Sequence, residues 1–150
     1  MNEMLKLMHD RRSTRAYRPE PLQEAVIQQI LEAGRFAPSG MNKQLNHFYV
    51  ITDPNYLADL TALVSRKMEN YRDIRYGAPV LVLVTNQKES TTCVQDASCA
   101  MENMMLAAFS LGVGSCWINQ LYRTREDREV QEKLAEIGVT PEEMPVAALA

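Results

Sequence analysis

The fold is decided by DASCAMENMMLAAFSLGVGSCWIN, residues 96–119 of the chain. Apolar residues recur in its first part at the helical period, and with the preceding residues they predict a helix over 92–111, about 30 Å long. Small alanines on this helix would let another helix approach closely. Gly112 and Gly114 then end the helix, and SCWIN at 115–119 predicts a strand. The chain therefore passes from its longest helix directly into a strand.

Helices and strands also mix outside this stretch. Apolar residues at helical spacing predict further helices over 1–9, 21–34, 54–70 and 124–137. Runs of β-branched, aromatic and other apolar residues predict strands over 47–52, 79–85 and 145–150. Thr124 is the candidate N-cap of the last helix. Long helices between most strands favour an α+β or α/β sheet over a meander of hairpins.

Length and charge narrow the class of protein. The chain has 150 residues, a mass of 17.0 kDa and no linker rich in Gly, Ser or Pro, which predicts a single domain over 1–150. Lys and Arg number 16 against 19 Asp and Glu, and the net charge of −3 argues against a nucleic-acid partner. No apolar run approaches the roughly 18 residues needed to span a bilayer, so we expect no membrane contact.

The cysteines and histidines give no sign of a disulfide framework or a metal centre. Cys93, Cys99 and Cys116 form no C-x-x-C pair, and an odd count without a pattern indicates reduced thiols in a cytoplasmic protein. His9 and His47 have no cysteine or acid at metal-ligand spacing, so we expect no metal site. The sequence also contains no nucleophile elbow and no Walker A loop.

RRSTR at residues 11–15, followed by Arg18, is a compact candidate anion site. A guanidinium group presents a fixed fork of donors that matches phosphate, and the hydroxyl groups add short donors. Four of the 11 arginines fall within these eight residues of an otherwise acidic protein. The alternative is a solvated link between two helices, which is what charge runs usually are.

APSGMNKQ at residues 37–44 is a second candidate, since it joins a predicted helix to a predicted strand. Ser39, Asn42 and Gln44 offer side-chain donors and acceptors, and Gly40 lets the backbone approach a ligand. The alternative is that these residue types serve only the geometry of the turn.

The glycines of LGVGS, residues 111–115, do not form a dinucleotide-binding motif. Trp117 stands where the third glycine of G-x-G-x-x-G would be, and a helix precedes the glycines where that motif requires a strand. The plain interpretation is the end of a helix. In the functional alternative, the strand after the glycines lays its backbone against a flat ligand.

Three segments in register resemble the FMN-dependent nitroreductase family. They are RRSTRAYRPEPL at 11–22, ILEAGRFAPSGMNKQLNHFYVI at 30–51 and the stretch at 96–119 quoted above. YGAPVLVLVT at 76–85 fits the strand between them. The resemblance covers nearly the whole chain. It implies an α+β, three-layer fold in which a central mixed, mainly antiparallel sheet is flanked by helices.

The resemblance also implies a homodimer with FMN at the interface and the helix at 92–111 in the dimer core. The FMN phosphate, ribityl chain and pyrimidine edge would be held by Arg11, Arg12, Ser13 and Arg15. The other subunit would contribute Pro38, Ser39, Gly40, Met41 and Asn42. The ring would be lined near its reactive edge by Trp117, Ile118 and Asn119.

The activity that the resemblance implies is ping-pong transfer of two electrons. NADH or NADPH gives a hydride to the flavin, and the acceptor is a nitroaromatic, a quinone or a similar electron-poor molecule. No protein acid or base is expected to be catalytic, and Arg15 would stabilise the negative charge of the reduced flavin. The alternatives are another reaction on the same fold, such as reductive dehalogenation or flavin fragmentation, and a truncated, non-catalytic flavin-binding homologue.

The chain departs from the family pattern in three places. Gln44-Leu45-Asn46 stands where the family usually has Gln-Pro-Trp, which is expected to reshape the mouth of the pocket. The family continues past its last strand with a Gly-Tyr turn and a basic residue at the FMN phosphate, whereas this sequence ends at Ala150. The match is weak at 66–75, where the family tends to build a substrate lid.

Overall fold

The computed structural model describes residues 1–69 and 72–150, which contain both helices and strands. The helices are α1 (Glu3–Asp10), α2 (Glu24–Arg35), α3 (Pro54–Lys67), α4 (Cys93–Ser110), α5 (Gln120–Arg123) and α6 (Arg128–Ala135). The strands are β1 (His47–Ile51), β2 (Leu81–Gln87), β3 (Trp117–Ile118) and β4 (Glu143–Leu149). The predicted end of the third helix at residue 70 lies outside the described residues.

The strands form one sheet in the order β1-β2-β4-β3, and every neighbouring pair is antiparallel. Because β4 is the last strand in sequence but lies inside the sheet, its pairing with β2 and β3 depends on long crossovers. The sequence implied a mixed, mainly antiparallel sheet. Among the described residues, the parallel component is a single isolated bridge between Ser13 and Ser115.

Both faces of the sheet are covered, which makes the fold three layers thick. Leu81 and Leu83 of β2 pack into the core beneath α3, α5 and α6, whereas Val82 and Val84 pack beneath α2 and α4. The continuous apolar run of β2 predicted this burial on both faces, and the expectation is confirmed. Each such side chain contributes about 1.5–3 kcal/mol when it leaves water.

The region after β3 differs from the prediction. The sequence predicted one helix over 124–137 with Thr124 as its N-cap, but the structure has two short helices, α5 and α6. Thr124 ends α5, and its hydroxyl group donates to the carbonyl of Gln120 (2.9 Å). Asp127 caps α6 by accepting from the backbone N–H groups of Glu129 and Val130. A carboxylate is a better acceptor for these N–H groups than a hydroxyl, which favours Asp127 as the cap.

Other boundaries shifted in smaller ways. Helix α2 begins at Glu24 rather than at Pro21, and β3 spans only two of the five residues predicted at 115–119. Within residues 1–69 and 72–150, no helix is long and apolar enough to cross a membrane.

Candidate functional site

Residues 11–15, here called the arginine segment, lie against the residues that follow α4. The backbone N–H of Thr14 donates to the carbonyl of Ser115 (2.9 Å), and Ser13 and Ser115 form the parallel bridge. A Cβ atom added at Gly114 would lie 2.6 Å from Oγ1 of Thr14, so this approach requires a glycine. The sequence identified the two segments separately as candidates but gave no sign that they pair.

The three arginines of this segment have different surroundings. Nη1 of Arg11 is buried and has no hydrogen-bond partner. Arg12 turns back to the C-terminal end of α1, where its Nη1 donates to the carbonyls of His9 and Arg11. Arg15 is exposed, with its guanidinium carbon 6.0 Å from the centre of the Tyr76 ring. Arg12 therefore closes a helix, whereas Arg11 holds a buried donor that lacks an acceptor.

The strand after the glycines forms one edge of the sheet, next to the arginine segment. Trp117 is half-buried against the α2–α4 core, and Ile118 is only 1 % exposed within the opposite core. The side chain of Ile118 is thus part of the packing, and only its backbone can face a ligand. Asn119 is exposed where the strand passes into α5.

The segment 37–44 forms a turn with an unusual backbone. Met41, Asn42 and Gln44 have positive φ angles of 52–53°, a region that costs roughly 1–2 kcal/mol for a residue other than glycine. Within the turn, Oγ of Ser39 accepts from the backbone N–H of Gln44 (3.0 Å). The side-chain amide of Gln44 donates to Oδ1 of Asn42 (2.9 Å). Pro38 and Met41 are exposed, and Met41 is 82 % accessible to solvent.

This turn is fixed to the N-terminal end of α4. The backbone N–H of Gly40 donates to Oδ1 of Asp96 (2.9 Å), and Asp96 is 4 % exposed. A Cβ atom added at Gly40 would lie 2.4 Å from Oγ1 of Thr92, so glycine is required here as well. Strained conformations of this kind persist where the surrounding structure holds them and are often found at functional sites.

The two candidate segments therefore lie at opposite ends of α4. The helix has 18 residues and is about 27 Å long at 1.5 Å per residue. The turn at 37–44 lies at its first residues, and the arginine segment lies beside the residues that follow its last turn. Within one chain, the five site residues predicted at 38–42 thus lie at the opposite end of α4 from the seven predicted at 11–15 and 117–119.

Two cavities lie near these segments. An apolar cavity of about 430 Å³ is enclosed by residues from the 17–22 link, α2, β2 and 112–115, and none of the twelve predicted residues lines it. A more polar cavity of about 540 Å³ runs along β1 and the turn, and Ser39 lines it. In residues 1–69 and 72–150 no group of three or more His, Cys, Asp or Glu side chains is arranged to hold a metal ion.

Comparison with known proteins gives a consistent result over the whole chain. The Nitroreductase family matches residues 8–150. A protein from Archaeoglobus fulgidus, named provisionally as an NADH dehydrogenase/NAD(P)H nitroreductase, is 33% identical over 139 residues, covering 89% of this chain and 77% of the relative.

Solved structures agree with these sequence relatives. A nitroreductase with bound FMN from Bacteroides fragilis is 36% identical, with a TM-score of 0.94 over 100% of this chain and 87% of its own. A protein from Desulfovibrio desulfuricans, named provisionally as a nitroreductase and solved in complex with FMN, is 31% identical. Its TM-score is 0.81 over 100% of this chain and 85% of its own. These similarities include both ends of α4.

Proposed function

This chain belongs to the nitroreductase family, and we propose that it is a single-domain, FMN-dependent oxidoreductase. It takes hydride from NADH or NADPH and passes two electrons, by a ping-pong mechanism, to a nitroaromatic, a quinone or a similar electron-poor acceptor. The observation that carries this proposal is the buried Nη1 of Arg11, a cationic donor without an acceptor. A buried donor left unpaired is costly, so its presence favours an anionic ligand at this position.

The residues around Arg11 suit the phosphate end of FMN. Arg11 would donate to the phosphate, and Ser13 lies two residues away with an exposed side chain. Gly114 keeps this segment close to Ser115 and to the edge of β3. Trp117, Ile118 and Asn119 would line the ring from that edge, Ile118 through its backbone. Nη1 of Arg12 bonds two carbonyls and holds the segment, and its other guanidinium nitrogens would be the donors that Arg12 offers to FMN.

Bound FMN would supply hydride acceptance and release, and the chain would control where that occurs. Arg15 would present a cation to the pyrimidine edge and stabilise negative charge that develops there. Because Arg15 is exposed and stands over Tyr76, it can reach this position without breaking a hydrogen bond of the core. The flavin carries the chemistry, so no catalytic acid or base is assigned to the chain.

The complete site requires a second copy of the chain. In one copy the arginine segment and the turn lie at the two ends of α4, a helix about 27 Å long. Two copies with their α4 helices antiparallel would bring the turn of one, Pro38 to Asn42, to the arginine segment of the other.

Exposed apolar side chains support such a homodimer. Helix α1 has no buried residue and packs against α4. Its apolar residues Met4, Leu5 and Met8 are 49–58 % exposed, and Phe109 and Leu111 near the end of α4 are also exposed. A partner covering these residues would remove apolar surface from water, which is the main favourable term in association.

We infer a cytoplasmic location for this enzyme. Cys93, Cys99 and Cys116 are free thiols, as the reducing environment of the cytoplasm would keep them.

The first experiment is a visible absorption spectrum of the purified protein, followed by addition of NADH or NADPH without oxygen. We expect flavin bands that bleach when the reductant is added and return with a nitroaromatic or a quinone. A protein that takes up no added FMN would contradict the proposed function. A protein that binds FMN but is not reduced by either nucleotide would contradict the choice of electron donor.

A further inference from the structure

Asp96 is the buried group to which the turn at 37–44 is attached. It is 4 % exposed, and both of its carboxylate oxygens are used. Oδ1 accepts from the backbone N–H of Gly40 (2.9 Å), and Oδ2 accepts from the hydroxyl of Thr92 (3.1 Å). The acid lies in the first turn of α4, yet within the described residues its oxygens accept from Gly40 and Thr92 and from no backbone N–H of that helix.

This arrangement differs from ordinary helix capping. Helices α1, α3 and α6 begin with side chains that accept from their own first N–H groups. Helix α4 has no side-chain cap hydrogen bond, and the hydroxyl of its N-cap residue Thr92 donates to Asp96. A cap typically contributes about 1 kcal/mol. The helix thus forgoes a local stabilising contact, and Asp96 holds a distant turn.

The chain just after the turn is attached to the same residue. Nδ2 of Asn46 donates to the backbone carbonyl of Asp96 (3.0 Å). Oδ1 of Asn46 in turn accepts from Asn86, which is completely buried in β2 (2.8 Å). Asn46 therefore joins the chain just after the turn to both α4 and β2.

We propose that Asp96 is a positioning residue for the cofactor, and that it acts across the dimer interface on the FMN held by the partner's arginine segment. The inference rests on the proposed function. Met41, Asn42 and Gln44 adopt positive φ angles that the turn would relax if it were released. Asp96 holds the turn at Gly40 and Asn46 holds the chain just after it, so together they keep the strained backbone in the shape that the flavin contacts.

The first test compares Asp96→Ala with Asp96→Asn. The alanine variant loses the acceptors for Gly40 and Thr92, and we expect its FMN dissociation constant to rise about tenfold to a hundredfold. The asparagine keeps one carbonyl oxygen for Gly40 and should restore affinity to within about threefold of wild type. Glu143→Ala is the matched control, since Glu143 is 3 % exposed and its hydrogen bonds come from His47, Tyr49, Thr85 and Thr140, which lie outside the turn. It should lower thermal stability and leave FMN affinity unchanged.

The second test asks which subunit Asp96 serves. Chains carrying Asp96→Ala and Arg11→Met are co-expressed with different tags, and mixed dimers are purified through both tags. Each variant homodimer should hold little flavin, because both of its sites are damaged. The mixed dimer should recover half of the wild-type flavin, since one site combines the intact arginine segment of one chain with the intact turn of the other.

Three results would overturn the inference. They are wild-type FMN affinity in Asp96→Ala, failure of Asp96→Asn to recover affinity, and mixed dimers without flavin, which would place Asp96 in the site of its own chain. If Asp96→Ala does not fold, Asn46→Ala decides, and unchanged FMN affinity in that variant overturns the proposal. The wild-type protein is titrated with FMN before any variant. If it binds no FMN, that result overturns the proposed function together with this inference.

Discussion

At the C-terminal end of α4, Arg11 has a buried donor without a partner, whereas at the N-terminal end the turn at 37–44 is held by hydrogen bonds to Asp96. The first end therefore offers charge that the chain itself does not neutralise. The second offers a backbone shape whose polar groups are largely paired within the chain.

The difference separates affinity from positioning. A buried charge that is paired only when the ligand binds destabilises the ligand-free protein and stabilises the complex. A residue that holds a strained turn contributes to the folded chain and affects the ligand only through geometry. Substitutions at the two ends should therefore differ in how they change stability and FMN affinity.

Arg11→Met should give the largest effect. FMN affinity is expected to fall about a hundredfold, because a charge-assisted bond to phosphate is lost. The free energy of unfolding of the FMN-free protein should rise by about 1 kcal/mol, because a buried unpaired donor is removed. Fluorescence titration with FMN and urea unfolding of the FMN-free protein measure the two quantities. A variant that is less stable without FMN would show that Arg11 supports the fold, and the contrast between the two ends would fail.

Glu143 is a buried acid that lies at neither end of α4, and Glu143→Gln tests what it contributes to stability. Burial by itself raises the pKa of Glu143, but hydrogen bonds from Thr85, from the N–H of Thr140, from Tyr49 and from His47 outweigh it and lower the pKa to about 2. We expect the variant to lose about 2 kcal/mol of unfolding free energy at pH 7, since bonds to a charged acceptor are weakened.

The pH dependence of this variant follows from the sign of the shift. A carboxylate whose pKa is lowered on folding stabilises the protein above its ordinary value of 4.5, and that stabilisation is lost as pH falls towards about 2. Urea unfolding at several pH values should therefore show wild type and Glu143→Gln converging below pH 4.5. The FMN affinity of Glu143→Gln at pH 7 should equal that of wild type. A lower affinity would mean that losing any buried acid weakens FMN binding by destabilising the fold.

Arg15→Ala should have an intermediate effect at the charged end. We expect FMN affinity to fall about tenfold and flavin reduction by NADH or NADPH to slow, because a cation near the pyrimidine edge is removed. Stopped-flow absorbance without oxygen measures the reduction rate. Arg18→Ala is the matched control, since Arg18 is also exposed but lines the apolar cavity rather than the proposed site. Equal behaviour of the two variants would remove Arg15 from the site.

Ser39→Ala should have the smallest effect, at the uncharged end. The substitution deletes a neutral hydrogen bond to the N–H of Gln44, which is worth about 0.5–1.5 kcal/mol. FMN affinity is expected to fall by about fivefold, with little change in the rate of flavin reduction once FMN is bound. A loss as large as that of Arg11→Met, measured by the same titration, would show that the turn also binds through strong direct contacts.

The sequence by itself determined the elements and the chemical types of the candidate residues. The helical period predicted α4, and the continuous apolar run at 79–85 predicted the burial of β2 on both faces, because both patterns depend on which side chains leave water. The arginine segment and the turn were recognisable because their residue types are unusual at those positions. That these residues contact FMN stays a prediction.

Tertiary structure alone decided which segments meet. Nothing local to Thr14 indicates Ser115, and nothing local to Gly40 indicates Asp96, because each pairing depends on the path of the chain between them. The same holds for the start of α6. Both Thr124 and Asp127 have side chains that can cap a helix, and in the structure Asp127 caps α6 whereas Thr124 ends α5. The periodicity of apolar residues predicts which side chains are buried, but it does not predict which residues they contact. The separation of the two candidate segments along α4 therefore emerged only from the folded molecule.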